Sequence, residues 1–357
     1  MSVFDEFMQL KLNERVSNSS IRKLALTNEL IDFSSNDYLG IALKNNTGSS
    51  GSRLISGNSI EIEQLEKYFS DLVGFENALF FQSGYQANVG LVPALSDRNT
   101  TILYDEYIHA SFRDGIQLSH SKNYSFKHND LKHLQNRLDK TDGLTLILTE
   151  SVFSMDGDSP DLEKLVDIAK KYDAGLIIDE AHAFGISGTK GKGMVAELDI
   201  HKDVLAVVYP LGKAVGSSGA FVTGNHLLRE YLINFCRSFI FSTAPSKSIV
   251  AEVKDQLEII SENDFCLTTF NLKSHFLSNL SKNYKVITGP NSAIVSIKIP
   301  GNSDVKRIEQ LLMKVGIFCK SIMHPTVPKG EERLRICFHE FNTKEDVDLL
   351  ISKLNQF

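Results

Sequence analysis

The sequence predicts an α/β protein with a mostly parallel central sheet covered by helices and a smaller C-terminal α+β domain. In the middle of the chain, short β-rich runs alternate with helical segments, a pattern typical of parallel strands joined by helices. Several of these runs are apolar almost throughout, as strands covered on both faces should be. A change of pattern near residue 266 indicates the second, smaller unit.

The predicted strands of the large sheet are apolar or β-branched runs. They lie at 78–82, 101–105, 144–150, 175–180, 204–210 and 219–224. Segments 61–73 and 159–172 show helical periodicity, and we expect Ser159 to cap the second helix with Pro160 in its first turn.

The C-terminal part predicts strands and helices of its own. Its strands are expected at 292–299, 317–323 and 333–339, a helix at 303–315 ended by Gly316, and a last helix after Thr343. The first 40 residues read as a helix and an irregular NDYLG segment, too short for a separate core. We therefore divide the chain into an N-terminal segment (1–42), a large domain (43–265) and a small domain (266–357).

The composition is that of an ordinary globular protein. Of 357 residues, 42% are apolar and 23% charged, and the net charge is -6 without a block of lysine or arginine, which argues against nucleic acid or an anionic membrane as the main partner. The start of the chain lacks a signal-peptide pattern, and no apolar run is long enough for a bilayer. The four cysteines are far apart and show no CxxC spacing, which argues against a zinc site or a disulfide scaffold and fits a reducing cytoplasm; we expect no bound metal.

Several polar residues follow the predicted strands, where ligands of an open α/β sheet bind. These residues are Ser83, Gly84, His109, Ser154, Asp179, His182 and Lys213. Taken singly, each fits an ordinary structural role, such as a turn, a loop histidine, a helix cap or a strand-terminal lysine that reaches solvent.

Together, three of these features indicate pyridoxal 5'-phosphate (PLP). Lys213 is the single charge among residues 207–220, and a lysine in an apolar pocket has a lowered pKa, so its amine can form a Schiff base with an aldehyde. An aspartate at the end of a buried strand, Asp179, can keep a pyridinium nitrogen protonated. The turn at Ser83 and Gly84 leads into a predicted helix at 84–93, whose start can bind a phosphate.

Two rival motifs are incomplete. Segment 185–194 is glycine-rich but lacks the GxGxxG spacing of a dinucleotide site, and GSSG at 216–219 is not the GxSxG turn of serine hydrolases. The sequence therefore favours PLP over either alternative.

At this level of detail the sequence resembles the α-oxoamine synthases, a family of fold-type I PLP-dependent transferases. The matching strings occur in the family's order and span nearly the whole chain: FSSNDYLG (33–40), GSRLISG (51–57), FQSGYQAN (81–88), DEYIHASFRDG (105–115), FKHND (126–130), TESVFSMDGD (149–158), IDEAHAFGISGTKGKG (178–193), LGKAVGSSGA (211–220), FIFSTAPS (239–246) and HPTVPKGEERLR (324–335). The FSMDGD, DEAH and PTVPKGEERLR strings resemble the biotin-pathway branch, although relatives that use glycine or serine share much of them.

The resemblance implies catalytic and cofactor roles. Lys213 matches the Schiff-base lysine, Asp179 the partner of the pyridinium nitrogen, and His182 a ligand of the PLP phenolic oxygen. His109 matches the histidine that stacks on the ring, and Ser154 another contact to the phenolic oxygen or cofactor. Lys213, His109 and Asp179 are thus the expected catalytic residues.

The resemblance also implies how the phosphate is held. Ser83, Gly84 and Tyr85 match the phosphate cradle, whose contacts come from the backbone of Gly84 and Tyr85. Ser242 and Thr243 match residues that reach the phosphate from a second subunit, so a homodimer with shared active sites is expected.

Four further positions are expected at the substrate site. Arg335 matches the clamp on the amino-acid carboxylate, a task that suits a planar guanidinium. Arg22 aligns loosely with an N-terminal arginine, and Asn36 and Tyr38 belong to the NDYLG string.

The implied reaction is a decarboxylating condensation of a small amino acid, L-alanine favoured, with an acyl thioester, pimeloyl-CoA or its acyl-carrier-protein counterpart favoured, in biotin biosynthesis. The alternatives are a glycine C-acetyltransferase, another acyl-CoA:amino-acid C-acyltransferase, or a PLP-binding protein with little activity. A non-PLP α/β protein would be colourless.

The sequence departs from the family at three places. Pro210 stands where a phosphate-binding hydroxyl is usual, and we expect a hydroxyl of Tyr209, Ser217, Ser218 or the partner's Thr243 to replace it. The link between NDYLG and GSRLISG is shorter than usual, so a helix near the site entrance is expected to be missing. Asn58 and Ile62 replace a tyrosine and a histidine that are frequent in the biotin-pathway branch.

Overall fold

The computed structural model describes residues 2–26, 34–39, 41 and 48–356. Within them, seven strands form one sheet in the order β1-β7-β6-β5-β4-β2-β3, and four form a second sheet in the order β10-β11-β9-β8. The strands of the large sheet are β1 Asn77–Phe81, β2 Thr101–Asp105, β3 Lys122–Phe126, β4 Thr145–Glu150, β5 Gly175–Asp179, β6 Ala206–Pro210 and β7 Ala220–Gly224. Those of the small sheet are β8 Lys285–Ile287, β9 Ile294–Lys298, β10 Lys320–Ile322 and β11 Arg333–Cys337.

In the large domain the helices alternate with the strands. In the small domain they pack against its single sheet. In chain order they are α1 Val3–Ser17, α2 Ile60–Val73, α3 Gly84–Ala94, α4 Ala110–Ser119, α5 Leu131–Leu138, α6 Leu162–Lys171, α7 Met194–Glu197, α8 His226–Phe235, α9 Arg237–Ile240, α10 Lys247–Glu262, α11 Cys266–Asn279, α12 Asn302–Lys314 and α13 Lys344–Leu354. Among the described residues no helix combines the length and the apolar character needed to cross a membrane.

The large sheet is parallel except at one strand. β2 pairs in parallel with β3 and β4, β4 with β5, and β5 with β6. β7 runs antiparallel to both β6 and β1. The predicted mostly parallel sheet is therefore confirmed, and the carboxyl ends of its parallel strands meet at one edge.

Successive side chains of the central strands point to opposite faces and enter two separate cores. In β6, Val207 and Tyr209 pack on one face with α2, α6 and α10, whereas Ala206 and Val208 pack on the other with α1, α3 and α8. Because both faces are buried, the strand carries an unbroken apolar run, which is the signal that revealed it in the sequence.

The structure corrects some of the predicted elements. Helix α6 begins at Leu162, and its cap is Asp161, whose carboxylate accepts the N–H of Lys164 at 3.2 Å, so Ser159 is not the cap. Strand β3 was not predicted, because it is a mostly exposed edge strand without an apolar run. β8 was missed for the same reason, since it has three partly exposed residues.

The small sheet is antiparallel, and its core is separate from the two cores of the large sheet. α11, α12 and α13 contribute Phe276, Leu312 and Leu354 to this core, which they share with Val295 and Leu334 of the strands. The boundary at 266 stays a prediction. α1 packs against α8 on the large sheet, as expected of a segment without its own core.

Candidate active site

A cavity of about 400 Å³ opens at the carboxyl edge of the large sheet. The loops after β1, β2, β5 and β6, the last residues of β4, β5 and β6, and the first turns of α3 and α4 form its walls. The residues that line it include Gln82, Ser83, Gly84, Tyr85, Asn88, His109, Ser111, Glu150, Asp179, Pro210, Lys213, Ser217 and Ser218. The structure therefore brings most of the predicted cofactor residues to one place.

Lys213 lies in the loop between β6 and β7. It keeps contact with solvent through the open cavity, yet the surrounding protein atoms desolvate its ammonium and lower its pKa. The positive charge of Arg335 lowers this pKa further, while the carboxylates of Asp179 and Glu150 oppose the shift. The amine is therefore easier to deprotonate than that of an exposed lysine, as the sequence predicted.

Asp179 ends β5 and is buried. Its Oδ2 accepts a hydrogen bond from Nδ2 of Asn88 at 2.8 Å, and its Oδ1 accepts the N–H of Ala181 at 2.9 Å. Asn88 also donates to the hydroxyl of Ser111 at 3.0 Å, which fixes the amide. These bonds hold the carboxylate at the cavity wall in one orientation.

Glu150 lies beside Asp179 on the neighbouring strand β4 and is equally buried. Burial raises its pKa well above the usual range of a glutamate, and the charge of Asp179 adds to the shift. Its Oε1 accepts the backbone N–H of His109 at 2.8 Å. Glu150 thus ties the loop after β2 to the strand that precedes the Ser154 loop.

His109 caps α4. Its Nδ1 accepts the N–H of Ser111 at 3.2 Å and lies 2.8 Å from the Ser111 hydroxyl. Because Nδ1 accepts this N–H, the neutral ring carries its proton on Nε2. The ring is exposed in the single chain and lines the cavity, where it is free to cover a planar ligand.

The other end of the cavity is the start of α3. Ser83 caps this helix by accepting the N–H of Gln86 at 3.2 Å, so the positive end of the helix faces the cavity between Gly84 and Tyr85. A Cβ atom on Gly84 would lie 2.6 Å from the ring of Pro210. Glycine is thus required where Pro210 packs against the helix start.

Of the hydroxyls expected to compensate for Pro210, the structure brings two to the cavity. Ser217 is buried and its hydroxyl has no hydrogen-bond partner among the described residues, whereas Ser218 is exposed. Both line the cavity. Tyr209 does not, because the alternation of β6 turns its ring into the core against Phe69 and Phe184.

His182, Arg335 and Ser154 lie beside the cavity rather than in its wall. Burial lowers the pKa of His182 well below its usual range, and the charges of Lys213, Arg335 and His109 lower it further. Arg335 reaches the large domain from β11, where its Nε donates to the carbonyl of Ser154 at 2.6 Å. Ser154 thus contributes its backbone oxygen to the arginine, and its side chain does not line the cavity.

Three of the expected substrate residues are not brought to the cavity of their own chain. Arg22 binds α8, since its backbone N–H and its guanidinium both donate to Asn234, at 2.8 and 2.7 Å. The Tyr38 hydroxyl donates to Asn36 at 3.0 Å, and the tyrosine is 85% exposed. Their predicted role in substrate binding stays a prediction.

Thr243 is also exposed and Ser242 is half-buried, and both lie outside the cavity. The carbonyl of Thr243 accepts a hydrogen bond from Nε2 of Gln82 at 2.6 Å, and Gln82 lines the cavity. The pair therefore lies near the cavity rim with its hydroxyls outside.

The departure from the family at Asn58 and Ile62 has a structural explanation. Asn58 is buried, its Oδ1 accepts bonds from Nε and Nη2 of Arg53 at 3.0 and 2.8 Å, and Arg53 is ion-paired with Glu66. Ile62 is part of the core. The shortened link includes residues 42–47, so the expectation of a missing helix lies outside the described residues.

Sequence reasoning missed Asn88, Ser111 and Glu150. Asn88 lies four residues after Gly84 and therefore on the same face of α3, a signal that was available. Glu150 is the acidic last residue of an otherwise uncharged strand. Ser111 follows His109 by two residues, the spacing of a local cap.

The donor set fits PLP. An amine with a lowered pKa and a buried carboxylate suit the aldehyde and the ring nitrogen, and the helix start suits the phosphate. The hydroxyl of Ser217, which is buried without a partner among the described residues, could donate to the phosphate as well.

Comparisons with known proteins agree with this fit. Residues 28–354 match the family model of class I and II aminotransferases. The chain is 36% identical to an 8-amino-7-oxononanoate synthase of Lysinibacillus sphaericus, covering 91% of this chain and 87% of that protein. It is 31% identical to a solved 8-amino-7-oxononanoate synthase of Francisella tularensis, with a TM-score of 0.75 over 92% and 98% of the two chains. It is 25% identical to a solved SPT with PLP, with a TM-score of 0.81 over 93% and 86%.

Proposed function

The chain belongs to the α-oxoamine synthases, PLP-dependent acyltransferases with the class I and II aminotransferase fold, and from this premise we propose that its substrates are L-alanine and a pimeloyl thioester. The products would be 8-amino-7-oxononanoate, carbon dioxide and the free thiol. The resemblance to named 8-amino-7-oxononanoate synthases supports the biotin pathway, and the choice of substrates is the proposal.

The observation that carries the proposal is that Lys213 and Asp179 both line the wall of one cavity. PLP bound there supplies an electron sink that stabilises negative charge on Cα of the amino acid. The amine of Lys213 would hold the aldehyde carbon and, once displaced, take the proton from Cα, since desolvation lowers its pKa. Asp179 would keep the ring nitrogen protonated.

Three histidine and serine side chains would complete the cofactor site. His109 would cover one face of the ring, since it lines the cavity and its Nδ1 is already engaged by Ser111. His182, kept neutral by burial, would donate to the phenolic oxygen. The phosphate would lie at the start of α3 with the hydroxyl of Ser217.

Arg335 would bind the carboxylate of the amino acid. Its Nε is engaged by Ser154, and Nη1 lies 3.0 Å from the sulfur of Cys337. Nη2 has no hydrogen-bond partner among the described residues, so it would meet the carboxylate and orient the Cα proton toward Lys213.

We also propose a homodimer in which Ser242 and Thr243 reach the phosphate of the second subunit. Their position outside the cavity of their own chain, where Thr243 is exposed and Ser242 half-buried, supports this arrangement. So do the exposed apolar side chains of Tyr38, Leu39 and Phe241, which are 85%, 76% and 68% exposed and which a second copy would cover.

The substrates are tested by incubating the PLP-loaded protein with amino acids and thioesters and measuring thiol release. L-Alanine with pimeloyl-CoA or pimeloyl acyl carrier protein is expected to give the highest kcat/KM. Glycine with acetyl-CoA and L-serine with palmitoyl-CoA are the comparison pairs. A higher value for either comparison pair would contradict the proposed substrates and favour a different acyltransferase of the same family.

Replacing Ser217 by alanine is expected to weaken PLP binding about tenfold or more with little change in kcat, because a hydrogen bond to a charged group contributes about 1.5–3 kcal/mol. Titrating the apoprotein with PLP measures the change. Ser218→Ala is the matched control, since Ser218 lines the same cavity but is exposed. Equal affinities of the wild type and the Ser217 variant would contradict the compensation for Pro210.

A further inference from the structure

His128 lies between two carboxylates outside the cavity. Its Nδ1 is 2.8 Å from Oδ1 of Asp105 at the end of β2, and its Nε2 is 2.8 Å from Oδ2 of Asp158. Asp105 is almost fully buried, and the side chain of His128 is 16% exposed. Two acidic groups on one ring require both nitrogens to donate, so the ring is an imidazolium.

The surroundings hold this imidazolium in one orientation. The ring of Tyr107 lies 4.5 Å from it at an angle of 31°, and the ring of Phe153 meets it edge-on at 4.5 Å. Asn129 binds the same two carboxylates. Its backbone N–H donates to Asp105 and its side-chain amide donates to Asp158, at 2.8 and 2.9 Å.

Asp158 closes a tight turn with Phe153. The N–H of Phe153 donates to the carbonyl of Asp158 at 2.9 Å, and the N–H of Gly157 donates to the carbonyl of Phe153 at 2.8 Å. The bond from His128 therefore fixes the whole turn 153–158 to the edge of the large sheet.

The same turn is the surface on which the small domain rests. The carbonyl of Met155 accepts the hydroxyl of Ser296, and Asp156 forms a buried ion pair with Arg333. Gly157 has a positive φ of 68°, and a Cβ atom there would lie 2.7 Å from the carbonyl of Ile294, so the two backbones approach closely. These contacts connect the turn to β9 and β11.

Within this turn, the carbonyl of Ser154 binds Nε of Arg335 at 2.6 Å. A chain of direct bonds therefore runs from the sheet edge through His128 and Asp158 to the turn, and from the turn to the guanidinium. None of these groups lines the cavity, and Arg335 lies beside it.

We propose that His128 is a positioning residue for the amino-acid carboxylate, because it holds the turn 153–158 whose Ser154 carbonyl orients Arg335. The inference rests on the proposed role of Arg335 as the carboxylate clamp. Without the imidazolium, the carboxylates of Asp105 and Asp158 face each other without a cation between them, and the turn moves away from β2.

The ion pairs also keep the ring of His128 charged at neutral pH. Hydrogen bonds and charges from Asp105 and Asp158 outweigh burial and raise the pKa of His128 to about 10. The imidazolium of His128 and its two ion pairs are therefore present at neutral pH.

The test compares how well the protein recognises a carboxylate before and after His128→Phe, which keeps an aromatic ring between Tyr107 and Phe153. The PLP-loaded wild type and variant are titrated with L-alanine and with ethylamine, which lacks the carboxylate, while the absorbance of bound PLP is followed. The preference for alanine is expected to fall about tenfold or more, since small misplacements of a clamp can cost up to about 100-fold. The affinity for ethylamine and the KM for the thioester are expected to stay unchanged.

A second measurement does not depend on PLP or turnover. Amide hydrogen exchange of residues 153–158 in the apoprotein is expected to speed up in the variant, while that of α6 stays unchanged. Asp158→Asn acts on the other end of the same bond and is the second variant if His128→Phe does not fold. His201→Phe is the matched control, because His201 pairs with Asp199, at 3.2 Å, at the opposite edge of the sheet.

The outcomes separate this inference from the proposed function. A wild type without preference for alanine over ethylamine would overturn the role of Arg335 and the inference with it. A wild type with that preference and a folded variant that retains it would overturn the role of His128 alone. An equal loss of affinity for alanine and ethylamine would identify a general structural role and would also overturn it.

Discussion

Replacing Lys213 by alanine is expected to reduce turnover by about 10⁴-fold or more, because the change removes both the covalent link to the cofactor and the base, and general-base catalysis alone contributes about 10²–10⁴. The fold should persist, since Lys213 is exposed to the cavity and forms no part of the three cores. Thiol release measures the loss, and the visible absorbance band of lysine-bound PLP should disappear with it.

Two companion variants make the Lys213 result specific. Lys213→Arg keeps the charge but is expected to be equally inactive, because a guanidinium stays protonated and does not attack an aldehyde. Lys202→Ala removes an exposed lysine at the opposite edge of the sheet and should leave turnover unchanged. A Lys213→Ala protein that retains the absorbance band and turns over substrate would refute PLP attachment at this residue.

The surroundings of Lys213 shift its pKa and that of the neighbouring Glu150 in opposite directions. Asp179 accepts two hydrogen bonds, as a charged carboxylate does best. Glu150, next to it, has a raised pKa because it is buried and faces that charge. Lys213 has a lowered pKa because desolvation outweighs the attraction of both carboxylates. Burial thus shifts the pKa values of Glu150 and Lys213 toward each other at the same cavity edge.

The sequence was most informative where one interaction dominates. Strands β4, β5 and β6 are buried on both faces, so their apolar runs are visible without knowledge of their neighbours. Lys213 could be singled out because no other charge lies within 207–220. The topological rule for open sheets then placed Asp179 and His109 near it.

The sequence was least informative where the decisive contact comes from a distant segment. The link from Asn88 to Asp179 joins residues 91 positions apart, and no local pattern pairs them. The bond from Arg335 to Ser154 spans 181 positions and depends on how the small domain packs. The start of α6 was misassigned for a local reason, because Asp161 competes with Ser159 as the cap and Asp161 bonds to Lys164.

Replacing Asp179 by asparagine is expected to lower kcat/KM by about 10²–10³, the usual effect of removing one group that stabilises developing charge. Asparagine has the same shape, but it carries no charge to keep the ring nitrogen protonated. It also presents an amide N–H₂ toward either the Asn88 amide or the Ala181 N–H, both of which are donors. Thiol release at saturating alanine shows whether the loss lies in kcat, as expected.

The Asp179→Asn protein should also show a changed pH dependence of its free energy of unfolding. Because the pKa of Glu150 is raised in the folded protein, folding favours its protonated form. The stabilisation that Glu150 gives the wild type is therefore fully present below the ordinary glutamate pKa of 4.5 and declines as the pH rises above it. Removing the Asp179 charge brings this pKa closer to normal, so the free energy of unfolding should decline less steeply with pH in urea titrations. Asp199→Asn, at an exposed carboxylate on the opposite edge, should change neither quantity. Wild-type turnover in the Asp179 variant would contradict the proposed partner of the ring nitrogen, whereas an unchanged pH dependence would contradict only the coupling to Glu150.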